Sequence, residues 1–143
     1  MKKALSILLA MLLLFCSAQV TYAEELNNPE PEIPPEEYSN ALSVSAGLTI
    51  SSNGTATLRV TCIGKPGTTH ISVRTYIEKW TGSGWSRVTI NGASEIEDGV
   101  SASALSKVYS TTVGSGTYRV TSIFTVTLST NEVITVYSNS VTH

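Results

Sequence analysis

The chain has 143 residues, nine Lys and Arg against eleven Asp and Glu, two His, two Cys, and a formal net charge of −2. So small a charge, with the basic residues scattered and never in a run, excludes a partner held through nucleic-acid phosphates. Two His and two Cys are too few for the ligand set of a metalloenzyme, and the length suits one domain rather than several.

Met1-Lys2-Lys3 opens the chain, an apolar run over 4–15 follows, and Thr21-Tyr22-Ala23 closes the segment with small residues flanking Tyr22. A basic start, an apolar stretch and a small-residue exit make a secretory signal peptide over 1–23, with cleavage expected after Ala23. The apolar run is shorter than the ~20 residues that cross a bilayer. Cys16 ends that run and raises the alternative of a lipoprotein signal, but bulky Phe15 stands where lipid attachment needs a small residue. The expected product is secreted, with no transmembrane segment after the signal is removed. It keeps Cys62 alone, so no internal disulfide can staple it and the core must hold the fold.

Residues 24–40 contain six Glu and four Pro with almost nothing apolar. Such a composition cannot build a core, and proline favours an extended form. The segment reads as an acidic, Pro-rich disordered arm, either a solvated spacer or a tail that docks on a basic surface.

From residue 41 the composition changes to Ser, Thr, Val, Ile and Gly. Leu42, Val44, Ala46, Leu48 and Ile50 alternate with small or polar residues, the period of a half-buried strand. Asn53-Gly54 then signals a hairpin, and Ala56, Leu58, Val60 and Cys62 share the next inward face. Gly64-Lys65-Pro66-Gly67 turns the chain. Ile71, Val73, Thr75 and Ile77 follow on one parity, with Arg74, Tyr76, Glu78 and Trp80 on the other. Thr81-Gly82-Ser83-Gly84 is a tight loop into a strand opened by Trp85, with Val88 and Ile90 inward and Arg87 outward. Asn91-Gly92 and Asp98-Gly99 punctuate a weaker region. One strand is expected over 100–113, its register open because Leu105, Val108 and Tyr109 do not fit one parity; a bulge would explain that. Gly114-Ser115-Gly116 leads into the clearest strand, with Tyr118, Val120, Phe124, Val126 and Leu128 on one parity, interrupted by Ser122. A last strand is expected over 132–137. Seven or eight strands without a helical period point to an all-β fold, an antiparallel β-sandwich over 41–143.

Gly116-Thr117-Tyr118-Arg119-Val120 resembles the tyrosine corner of immunoglobulin-like domains, in which a Tyr early in the second-last strand bonds back to nearby backbone. Together with Asn53-Gly54-Thr55-Ala56 and Gly82-Ser83-Gly84-Trp85, this layout resembles small secreted proteins of unknown function from Firmicutes. The resemblance covers the chain from about Leu42 onward. It implies a bacterial source and an immunoglobulin-like sandwich, and it brings no catalytic residues.

Catalysis needs titratable groups converging in a cleft. After the signal only His70, His143 and Asp98 could join a Ser-His-Asp arrangement, and no nucleophile elbow, phosphate loop or cofactor motif occurs. A two-carboxylate glycosidase could draw on Glu78, Glu95, Glu97, Asp98 and Glu132, but a sandwich this small has little room for a deep cleft. The expectation is a non-catalytic protein with no cofactor and no metal. Glu95-Ile96-Glu97-Asp98-Gly99 could hold calcium, yet it lacks the alternating ligands of a dedicated loop and reads as a solvated acidic turn.

The aromatic residues carry the functional expectation. A hairpin at residues 81–84 would pair Trp80 with Trp85 on an outward face, with Tyr76, Arg74 and Arg87 beside them. Arg119 and Ile123 would face out on the second-last strand, and Tyr137 on the last. Rigid aromatics and Arg dominate binding hot spots, so the expected site is Tyr76, Trp80, Trp85, Arg87, Arg74 and Arg119. The expected role is a secreted interaction module with a protein or glycan partner. The alternatives are a carbohydrate or small-molecule binder on the same platform, and an extracellular assembly protein that adds strands edge to edge.

Overall fold

The computed structural model describes residues 38–143; the expected signal at 1–23 and residues 24–37 of the expected arm lie outside the described residues. Nine strands occur among the described residues: β1 (Ala41–Ile50), β2 (Thr55–Gly64), β3 (His70–Trp80), β4 (Trp85–Val88), β5 (Ile96–Val100), β6 (Ala104–Thr112), β7 (Thr117–Thr127), β8 (Asn131–Tyr137) and β9 (Val141–Thr142). They form two antiparallel sheets. One has the order β1-β2-β6; the other has the order β4-β3-β7-β8, with β5 also pairing β3 and β9 pairing β7. This is the expected β-sandwich.

The inward parity builds its core. Leu58, Val60 and Cys62 of β2 face Ile71, Val73 and Ile77 of β3 and Val120, Phe124 and Val126 of β7, all essentially without solvent contact. Ser122 interrupts the apolar parity of β7 for a local reason. It stands opposite Thr75 across the strands, and the two buried hydroxyls hydrogen-bond at 3.0 Å. Each satisfies the other, so neither carries the penalty of an unpaired buried polar group.

The hairpins follow their turn residues. Asn91 and Gly92 both have positive φ, 49° and 90°, and Ile90 and Ala93 exchange backbone hydrogen bonds across them. That is the two-residue loop for which Asn-Gly is preferred. At Asn53-Gly54 only Gly54 turns left-handed, while the Asn53 Oδ1 accepts from the Thr55 N–H at 3.1 Å.

Several local expectations change. Leu42 is 63 % exposed, because an irregularity between Ala41 and Ser43 gives Ala41 the inward position. Asp98-Gly99 lies inside β5, not in a turn, and the strand expected over 100–113 begins at Ala104 after a bend at residues 101–103. No bulge is needed there. β6 pairs β2 without interruption from Thr55↔Thr112 to Ile63↔Ala104, so Leu105 and Tyr109 face in and Val108 faces out.

Asp98 points inward from β5 and joins the two sheets. Its carboxylate accepts from Lys107 Nζ at 2.9 Å and from the Tyr109 hydroxyl at 3.3 Å, both on β6. Residues before Ala41 also belong to the fold. Glu132 on β8 accepts the backbone N–H groups of Ser39 and Asn40 at 2.7 and 2.6 Å, and the Asn40 side chain donates to the carbonyls of Val126 and Thr130. Asn40, assigned to the arm by composition, is thus a buried part of the fold.

Candidate functional site

The outward parity of β3 and β7 supplies the site. The two strands pair from His70↔Thr127 to Lys79↔Tyr118, which sets Glu78 beside Arg119, Tyr76 beside Thr121 and Arg74 beside Ile123. β4 adds Trp85 opposite Trp80 and Arg87 opposite Glu78. β8 adds Tyr137 opposite Thr121.

The two indoles meet as the hairpin requires. Gly82 takes a positive φ of 94° and Thr81 N–H donates to the Gly84 carbonyl at 2.9 Å, closing the loop. The rings of Trp80 and Trp85 lie 5.4 Å apart at 61°, an edge-to-face pair. Such a pair contributes about 1 kcal/mol beyond its buried area. Trp80 is 38 % exposed, while Trp85 is half-buried.

Arg119 organises the neighbouring row. Its guanidinium carbon lies 4.4 Å from the Trp85 ring centre and 4.6 Å from that of Tyr137. Its Nε donates to Glu78 Oε2 at 2.7 Å, and the same oxygen accepts from the Thr121 hydroxyl at 2.8 Å. Three side chains therefore fix one arginine, two of them by cation–π contact, and Thr121 braces the third, Glu78. The Tyr137 ring remains 40 % exposed.

Tyr76 differs from expectation. It points out of the sandwich but is only 8 % exposed, and Arg87 lies over it with the guanidinium carbon 3.6 Å from the ring centre. Arg87 in turn meets Glu95 at 3.4 Å. Tyr76 is thus a support for Arg87 and not a contact surface. The structure brings Trp80, Trp85 and Arg119 together with Tyr137, sets Arg87 on Tyr76 as a second stack, and places Arg74 in neither, in a groove that His70 also lines. Glu78 is the residue that residue-type reasoning missed. Its opposition to Arg119 depends on the β3–β7 register, which no local pattern in either strand specifies.

The acidic run 95–98 does not converge on an ion. Alternation along β5 sends Asp98 inward to Lys107 while Glu97, opposite Arg74, stays exposed outside. Among the described residues no group of His, Cys, Asp or Glu is placed to hold a metal, and no helix is long and apolar enough to cross a membrane.

The class that fold and face define is an antiparallel β-sandwich with an aromatic–cation cluster on the outer side of its larger sheet. The chain matches no protein-family model, no curated protein and no solved structure.

Proposed function

We propose that this is a secreted, non-catalytic binding module on an immunoglobulin-like sandwich, which contacts a protein or glycan partner through Trp80, Trp85 and Tyr137 around Arg119. The immunoglobulin-like reading is supported by the sheet orders β1-β2-β6 and β4-β3-β7-β8, and by the Tyr118 hydroxyl donating to the Gly114 carbonyl four residues upstream at 3.0 Å. That bond has the form of a tyrosine corner. Export, and kinship with the small secreted proteins of Firmicutes, rest on the N-terminal pattern and on the short motifs described above.

The observation that carries the binding role is the fixing of Arg119 between two aromatic rings while Trp80 and Tyr137 keep surface open to solvent. Side chains immobilised in advance lose less entropy when a partner arrives. Aromatic and Arg side chains carry most of the energy in protein interfaces, and flat rings also suit sugar faces.

The experiment uses the Trp80→Ala/Tyr137→Ala double variant. The reading expects cooperative unfolding to be retained and capture of surface proteins and glycans to be lost. A folded double variant that captures the same partners as the parent would refute it. Edge-to-edge assembly is a second reading, favoured by the uncharged β1 edge strand with Leu42 exposed. Sedimentation as a clean monomer at high concentration would dismiss it.

A further inference from the structure

We propose that the groove on the outer face between β5 and β7 is a second ligand site, shaped for a small hydroxylated carboxylate such as a sugar acid, free or within an acidic glycan. It lies away from the two Trp residues and does not depend on the role assigned to them.

The groove has a volume of about 520 Å³, in the range of small-ligand sites. Strand pairing explains it. On β5 the outward positions are Glu97 and Gly99, opposite Arg74 and Ser72 of β3. Gly99 puts no side chain into this space, the His70 ring stands beside it, and Ile123 and Thr125 of β7 also line it. A Cβ added at Gly99 would lie 3.4 Å from His70 Nε2 and 3.4 Å from the Ile71 carbonyl, which is ordinary contact. The fold thus has room for a side chain where the groove has none.

The groups around this space define the ligand. Of the three arginines on the outer face, Arg87 pairs with Glu95 and Arg119 with Glu78, whereas Arg74 has no carboxylate partner among the described residues. Glu97 stands directly opposite it, yet the two form no ion pair. An open guanidinium fork matches a carboxylate with two parallel hydrogen bonds. Glu97 beside it disfavours a doubly charged phosphate by like-charge repulsion, but accepts hydrogen bonds from hydroxyls. Ser72 and Thr125, paired across the strands, add two hydroxyls that can donate or accept. Ile123 offers an apolar patch to the C–H face of a ring. One anion, several hydroxyls and a small apolar face describe a sugar acid.

The test follows backbone amide shifts of the full chain during titration with galacturonate, with neutral galactose as the control and trigalacturonate as the glycan arm. Shifts should concentrate at Ser72, Arg74, Gly99 and Thr125. Galactose should bind at least about tenfold more weakly, the loss expected for one charge-assisted contact. A tighter fit for trigalacturonate marks a glycan as the source, and equal affinity marks the free acid. Arg74→Gln should weaken galacturonate about tenfold, and Gly99→Val, which puts a good β-former into this space on an edge strand, should abolish binding with the fold intact. No localised shifts with either acid, undiminished binding by folded Gly99→Val, or galactose bound as tightly as galacturonate would overturn the proposal.

Discussion

Glu78 and Arg119 stand directly opposite each other on β3 and β7, and the Arg119 Nε donates to Glu78 at 2.7 Å with both side chains largely shielded from water. This contact holds the guanidinium between Trp85 and Tyr137. Removing the acid leaves a partly buried cation without its counter-charge. Glu78→Ala is therefore expected to cost about 2 kcal/mol in urea unfolding, the scale of a hydrogen bond to a charged group. Arg119→Lys should cost a similar amount, because an ammonium neither stacks between two rings nor presents a planar fork. A double-mutant cycle between the two positions should return a coupling of about 1 kcal/mol or more.

The two tryptophans differ in how much each supports the fold. Trp85 touches both Trp80 and Arg119, whereas Trp80 has solvent on its outer side. Trp85→Ala should destabilise by about 2–3 kcal/mol, and Trp80→Ala by about 1 kcal/mol, mainly the lost ring pair. Chemical denaturation of the two single variants gives the comparison.

Asp98 links the sheets in a pH-dependent way. Its hydrogen bond from Lys107, with that from the Gly99 N–H, holds its carboxyl below the usual carboxylate value. A folded pKa below the unfolded one adds stability above the unfolded value of about 3.9, and that stability is lost as pH falls through the folded value. The parent should exceed Asp98→Asn in urea midpoint at neutral pH, and the gap should narrow as pH falls below the unfolded value of about 3.9. A gap independent of pH would mean that the carboxylate charge contributes nothing.

Cys62 behaves as a small core residue. Burial pushes its thiol up to about 11, with the Glu132 carboxylate adding to the rise. The native thiol therefore stays protonated and shielded, and thiolate is the reactive form. Iodoacetamide at about pH 8 should modify it only at the rate of unfolding. Between about 8.5 and the raised native value the unfolded chain releases a proton that the native chain keeps, so stability should fall as pH rises through that window.

Most of the sandwich is legible because period two assigns faces. The inward sets of β2, β3 and β7 follow directly from alternation, and Asn-Gly and Gly-Ser pairs mark the turns. Alternation fails at Leu42, where one irregular position moves the apolar side chain to the other face. It also fails at Asp98-Gly99, where turn-forming residues continue a strand because pairing with β3 supplies the hydrogen bonds. The outward direction of Trp80, Trp85, Arg119 and Tyr137 was readable in the same way. The cover that Arg87 places over Tyr76, the Glu78–Arg119 pair and the groove at Gly99 were not, because each depends on contacts across strands whose register a linear pattern leaves free.

The most direct test of the recognition face uses the Trp85→Phe variant, in which Trp80 is the remaining indole of a chain with two. Its emission is followed while a partner captured by the parent protein is added. A contacted Trp80 should shift to shorter wavelength and lose its access to acrylamide as the complex forms. Unchanged emission and unchanged quenching in a variant that still binds that partner would contradict the assignment of this surface.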